Sequence, residues 1–166
     1  MKQFICIFLI SFIGLRTKAQ EIKSVKITEV GRIIAESKGP LIVNMWATWC
    51  KPCIEEIPYF ISEVEQHNAT LTAAGDSIRM LLVSLDFKEA YPKELASFVQ
   101  KRKYTVPVVW LDETNADYFC PFIDEKWSGA IPATLFVNNK TGYRNFYEKQ
   151  LSHEDLKKEI MAILKN

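Results

Sequence analysis

The stretch Asn44-Met45-Trp46-Ala47-Thr48-Trp49-Cys50-Lys51-Pro52-Cys53-Ile54-Glu55-Glu56-Ile57-Pro58 constrains this chain more than any other. It continues an apolar run, Leu41-Ile42-Val43, and after Cys50 its apolar residues take helical spacing: Ile54, Ile57, Phe60, Ile61 and Val64 form one stripe. A strand therefore hands over to a helix at a pair of cysteines. The first turn of a helix leaves backbone N–H groups unpaired and carries the positive end of the dipole, so a thiolate at Cys50 is favoured, and Lys51 beside it adds to the effect. One helical turn separates the two cysteines, which lets both sulfurs lie on one side and close a small ring. The arrangement implies a dithiol/disulfide centre with Cys50 as the exposed thiol. A structural staple is the rival, but a loop this short removes little entropy from the unfolded chain.

Residues 1–19 have the pattern of an export signal. Lys2 precedes the almost unbroken apolar run Phe4 to Leu15, and Thr17-Lys18-Ala19 places small residues where a signal peptidase reads them, with cleavage expected before Gln20. Twelve residues rising 1.5 Å each span about 18 Å, short of a hydrocarbon core of about 30 Å, so an uncleaved N-terminal membrane anchor is the weaker alternative. The expected organisation is a cleaved signal over 1–19 and a single domain over 20–166. The expected location is extracytoplasmic, periplasmic or equivalent, where disulfides persist. Cys6 leaves with the signal, and Cys120 is then the odd cysteine, expected as a buried free thiol, with a regulatory disulfide as the other reading. Of 21 basic residues, three lie in the signal, which leaves 18 against 20 acidic, a net charge of −2. No Lys/Arg cluster accompanies it, so nucleic acid is not an expected partner.

The remaining pattern predicts α/β architecture. Ser24–Ile27 reads as a short edge strand, 29–36 as a helix ended by Gly39-Pro40, and 41–46 as a strand buried on both faces. The helix from Cys50 extends to about Thr72 and carries Pro58 inside it, a bend point. A turn at Ala74-Gly75-Asp76, a strand at 78–85, a helix at 92–103 and a strand at 106–111 follow. This β-α-β-α-β order calls for parallel pairing with helices on both faces. A short helix at 117–123 stopped by Pro121, then strands at 133–137 and 143–148 around the turn Asn138–Gly142, add an antiparallel half. Ser152 caps a last helix whose apolar face is Leu156, Ile160 and Leu164.

Three motifs are similar to those of a known group. They are Trp46-Ala47-Thr48-Trp49-Cys50-Lys51-Pro52-Cys53 after an apolar strand, the continuation through Glu56 and Pro58, and Ile131-Pro132-Ala133-Thr134 before a later strand. On these, residues from about 24 to 165 resemble a thioredoxin-like fold, and more narrowly exported thiol–disulfide oxidoreductases of the TlpA/ResA type. The resemblance implies a central mixed β-sheet, parallel plus antiparallel, flanked by helices on both faces. It implies that Cys50 attacks a substrate disulfide and that Cys53 resolves the mixed disulfide, so that a redox disulfide Cys50–Cys53 forms. Pro132 is expected cis, in a loop with Ile131 that lies against the dithiol, and Trp49 and Pro52 complete a substrate-binding rim. Trp46 belongs either to that rim or to the core. Glu56 shares a helix face with Cys53 and is expected to move protons, with a raised pKa. Glu55 points elsewhere. Asn44 stands where classical thioredoxins keep a buried aspartate, which leaves Glu56 or water as the proton carrier.

No cofactor is expected. A zinc site needs further Cys or His pairs, a haem attachment needs His after Cys53 where Ile54 stands, and His67 and His153 are isolated, expected at the surface. The expected partners are protein disulfides and, in an oxidising compartment, a membrane-embedded electron donor; the resemblance includes roles in cytochrome c biogenesis. A thiol peroxidase using Cys50 and a redox-inert binding module are the two rival functions. The sequence says nothing of oligomeric state.

Overall fold

A computed structural model describes residues 20–70 and 77–165. The elements run β1 (Lys23–Val25), α1 (Ile27–Ala35), β2 (Leu41–Trp46), α2 (Lys51–Thr70), β3 (Arg79–Ser84), a single 3-10 turn (Lys88–Ala90), α3 (Lys93–Arg102), β4 (Val108–Leu111), α4 (Ala116–Ile123), β5 (Ala133–Asn138), β6 (Tyr143–Tyr147) and α5 (His153–Ile163). Among the described residues, six strands form one sheet in the order β1-β4-β3-β2-β5-β6. The pairs β1/β4, β4/β3 and β3/β2 are parallel, and β2/β5 and β5/β6 are antiparallel. The mixed sheet expected from the sequence is therefore present.

Period-two alternation explains why the central strands read as unbroken apolar runs. From β2, Ile42 and Trp46 enter a cluster with Ile57, Phe60, Ile61 and Val64 of α2, Leu95 and Val99 of α3, and Leu156, Ile160 and Ile163 of α5. Leu41, Val43 and Met45 point to the other face and pack with Ile27, Val30 and Ile34 of α1 and Phe119, Cys120 and Ile123 of α4. Three helices cover one face and two the other. Asn44 has the parity of Ile42 and Trp46, so it faces α2.

Several element boundaries differ from the sequence reading. Ile27 begins α1 instead of ending β1, and it is fully buried. The strand expected from residue 106 starts at Val108, because Pro107 cannot donate to a ladder; its carbonyl instead accepts from Leu82 N. The helix expected over 117–123 is α4, begun one residue earlier and ending at Ile123 as expected, but Pro121 lies inside it and does not stop it, and Asp124 N still reaches Cys120 O at 3.0 Å. A proline inside a helix forfeits one N–H bond, and Phe119, Cys120 and Ile123, all buried on α1, supply the packing that keeps this short helix intact. Pro58 likewise lies inside α2 without ending it. The expected signal (1–19, with Cys6) and the turn Ala74-Gly75-Asp76 lie outside the described residues. No described helix is long and apolar enough to cross a membrane.

Candidate active site

The parallel strands β2 and β3 end together, with Trp46 opposite Ser84, and the chain leaving each end builds the site. After Trp46 the backbone makes a tight turn, closed by Cys50 N on Ala47 O at 3.1 Å, and α2 begins at Lys51. Cys50 is thus the N-cap of α2. Its carbonyl accepts from Ile54 N at 3.1 Å and its sulfur accepts from Cys53 N at 3.4 Å, the bond an N-cap side chain makes to the third helical residue. Pro52 falls in the first turn, where the missing N–H costs nothing. Cys50 and Cys53 are joined as a disulfide.

Cys50 is less open than the sequence suggested. In the oxidised state the residue is 5% exposed and Cys53 is 0%, both within the α2-side cluster beside Trp46 and Ala47. The exposed feature of the rim is Trp49, at 56%, stacked on Phe87 at 5.9 Å between ring centroids. Phe87, on the chain leaving β3, is 69% exposed. Trp46 is core: fully buried, it packs edge-on against Tyr104 at 5.6 Å and against Phe98 at 5.8 Å.

Beneath the disulfide lies a buried polar cluster. Glu56, on α2, is fully buried; its Oε2 accepts from Leu151 N at 3.0 Å and its Oε1 from Asn44 Nδ2 at 2.9 Å. Asn44 Nδ2 also donates to Thr134 Oγ1 at 2.9 Å, linking β2, α2 and β5. Asn44 Oδ1, buried, has no partner among the described residues. Burial pushes the Glu56 carboxyl up to about 7, against the opposing pull of the Leu151 and Asn44 bonds. No cation is among its partners, so the carboxyl changes charge near neutrality. Glu55, by contrast, is exposed, 3.9 Å from Lys51 Nζ.

The third wall is the loop before β5. The Ile131–Pro132 bond is cis. Because Met45 pairs with Ala133, the residues just before Ala133 lie alongside those just after Met45, which lead to Cys50. Ile131 packs against the clusters on both faces of the sheet. The structure thus brings Cys50, Cys53, Glu56, Ile131 and Pro132 to one end of the sheet.

Two residues of the surround carried no sequence signal. Asp86, 4% exposed just beyond β3, accepts from Thr48 N at 3.0 and 3.1 Å, from Thr48 Oγ1 and from Ser84 Oγ. It pins the turn that presents Trp49 and Cys50, and its own carbonyl accepts from Trp110 Nε1 at 2.7 Å. An aspartate after a buried strand is legible only through its position at the carboxyl end of a parallel sheet. Leu151 contributes through its backbone, which no side-chain pattern announces. A second cis bond, Tyr91–Pro92, was likewise unannounced.

The other candidates lie apart. Cys120 is free and 4% exposed, and burial, helped by Glu148 and Asp117, pushes its thiol up to about 11, the opposite of a reactive thiolate. His153 is paired with Glu63 at 2.7 Å, and His67 is half-buried. Among the described residues, no group of three or more His, Cys, Asp and Glu side chains is placed to hold a metal ion.

Comparison with known proteins agrees with this geometry. Sporulation thiol-disulfide oxidoreductase A of Bacillus subtilis is 31% identical over 99 residues, covering 60% of this chain and 53% of the relative. Thioredoxin-like protein YneN of the same organism is 30% identical over 88 residues, 51% of this chain and 47% of the relative. The chain spans about half the length of these curated relatives. Among solved structures, StoA from Bacillus subtilis superposes with a TM-score of 0.56 at 25% identity, covering 76% of this chain and 86% of that one. The thioredoxin-related protein from Neisseria meningitidis serogroup B shares the fold, with a TM-score of 0.60 at 22% identity over 78% of this chain and 89% of that one. The AhpC/TSA family pattern matches residues 13–142, a span that contains the dithiol, Glu56, Asp86 and the cis-proline loop. The chain belongs to the AhpC/TSA family, in its thioredoxin-like form.

Proposed function

We propose that this protein is an extracytoplasmic thiol–disulfide oxidoreductase that reduces disulfides of other proteins. The observation that carries the reading is the Cys50–Cys53 pair closed across the first turn of α2, with Cys50 as N-cap and a buried carboxyl of shifted pKa on the same helix. The disulfide and its surroundings correspond to the oxidised end of the cycle. From the reduced end, the Cys50 thiolate attacks one sulfur of a substrate disulfide, and the other substrate sulfur leaves as a thiolate that takes up a proton. Cys53, losing its proton to Glu56, then attacks Cys50; the Cys50–Cys53 bond forms and the second substrate thiolate is released. Two electrons pass from the dithiol to the substrate. A further dithiol donor must then reopen the pair, and in an oxidising compartment a membrane-embedded one fits that need.

Trp49, Pro52, Ile131 and Pro132 would form the surface on which the substrate chain lies. The relatives' names support the chemistry, and the apolar run over residues 4–15 supports export. A role in cytochrome c maturation is one assignment compatible with a reductant of this kind. Equilibration against glutathione or dithiothreitol tests the direction: a potential near roughly −270 mV is expected, and one above about −150 mV would sink the reductant reading. Peroxide consumption by Cys50 without any disulfide exchange would replace it with a peroxidase.

A further inference from the structure

Glu148, one residue beyond β6, stands outside the dithiol machinery described above, yet its carboxylate reaches across to the cis-proline loop. A single oxygen, Oε1, accepts from Ser128 N at 3.1 Å, from Ala130 N at 3.0 Å and from the Ser128 hydroxyl. Gly129 lies between the two amides with φ 95°, a backbone region open to glycine, and this lets both N–H groups turn to one acceptor. The same loop is held from the other side by Trp127, 5% exposed, whose Nε1 donates to Ala130 O at 2.8 Å and whose ring packs on Phe119 and Phe146. The chain then passes directly into Ile131 and cis Pro132. Burial works to raise the Glu148 pKa, but the bonds from Ser128 and Ala130 outweigh it and hold the carboxyl below its ordinary value, so the anchor is charged at neutral pH.

We propose that Glu148 is a positioning residue for substrate capture: by clamping Ser128–Ala130 it fixes the cis-proline rim beside Cys50, and so governs engagement of a polypeptide disulfide without setting the potential of the dithiol. The chemistry of the anchor favours this division of labour. Its three donors all belong to the loop, and none of its bonds goes to Cys50, Cys53, Glu56 or Asn44. A small disulfide needs only the sulfur of Cys50, whereas a folded or extended polypeptide must also fit the flanking backbone.

The inference rests on the oxidoreductase reading, and its test separates the two. Wild type, Glu148→Ala, Glu148→Gln and Ser128→Ala are compared on insulin, with dithiothreitol as electron source, and on dithiobis(nitrobenzoate), with the pre-reduced, desalted protein as sole electron source and the second-order rate constant read as kcat/KM, alongside glutathione equilibration of each variant. Loss of charge-assisted bonds is expected to lower kcat/KM of Glu148→Ala on insulin about tenfold more than on the small disulfide, mainly through KM. The glutathione midpoint stays where it is in wild type. Glu148→Gln, whose carboxamide oxygen accepts the same two amides, restores most of the selectivity, and Ser128→Ala falls between. Equal losses on both substrates, a shifted midpoint, or full insulin activity in Glu148→Ala would overturn the proposal. If Glu148→Ala does not fold, Glu148→Gln against Ser128→Ala carries the same comparison. A wild type inert toward both disulfides would instead remove the oxidoreductase reading, and the positioning role with it.

Discussion

At the scale of single residues, Cys53 and Glu56 make separable predictions. In Cys53→Ala the resolving sulfur is gone, so a substrate attacked by Cys50 stays attached; non-reducing gels of cell extracts should show covalent adducts that dithiothreitol releases and that Cys50→Ala never forms. Glu56 predicts a pH dependence. Its folded pKa of about 7 lies above the ordinary carboxylate value of 4.5. Between those values the folded state holds more protons than the unfolded one, so stability falls as pH rises. The full drop is on the order of 3 kcal/mol for a carboxyl this deeply buried. Urea midpoints from pH 4.5 to 7.5 should therefore decline in wild type and stay flatter in Glu56→Gln. An equal slope in both would place the titrating group elsewhere. The sequence made Glu56 visible through spacing alone, three residues after Cys53. It could not show that Leu151 N and Asn44 Nδ2 would be its partners, since both lie in other elements.

Elements position the site by ending in the right place, and Asp86 is where that is most easily tested. It holds the β2–α2 turn from the end of β3. Asp86→Ala leaves the Thr48 N–H and two hydroxyls without their acceptor, at a cost of about 2–3 kcal/mol. Oxidised and reduced Asp86→Ala should both lose stability in urea, and exchange through Cys50 should slow because the turn presenting it is no longer pinned. Unchanged exchange would show that the α2 N-cap suffices to hold Cys50. Element type was readable wherever one physical rule dominated: strands 41–46 and 79–84 from continuous apolar runs, α2 from its stripe, α5 from the Ser152 cap, whose Oγ accepts from Asp155 N at 3.1 Å. It failed where two rules competed. Pro121 obeyed a local breaker rule that burial of Phe119, Cys120 and Ile123 overrode. Ile27 fitted the weak alternation of 24–27, yet it opens α1 with its side chain on the core. Cys50 followed the rule that a helix end exposes its cap, but the turn over Ala47 folds it into the cluster.

For the molecule as a whole, the direction of electron flow is linked to folding. The stability difference between oxidised and reduced protein equals the difference in how readily the two thiols join in the folded and unfolded chains. Two opposing effects act on the folded dithiol. The α2 N-terminus and the Cys53 N–H favour a Cys50 thiolate, typically by about 0.3–1 kcal/mol for an exposed group and up to about 2 kcal/mol when partly buried. Preorganisation acts against it: α2 holds the two Cα atoms 5.3 Å apart, inside the range a disulfide spans, whereas the unfolded chain must give up conformational freedom to close the same ring. The fold therefore favours the closed pair. The oxidised protein should unfold at a higher urea concentration than the dithiothreitol-reduced protein at pH 7, with similar m-values. Every 30 mV by which the folded couple lies below that of the unfolded chain should add about 1.4 kcal/mol to that gap. A reduced form more stable than the oxidised one would mean that thiolate stabilisation at the helix terminus outweighs this preorganisation, and the protein would then donate disulfides instead of removing them, since strong oxidants are those whose reduced form is stabilised.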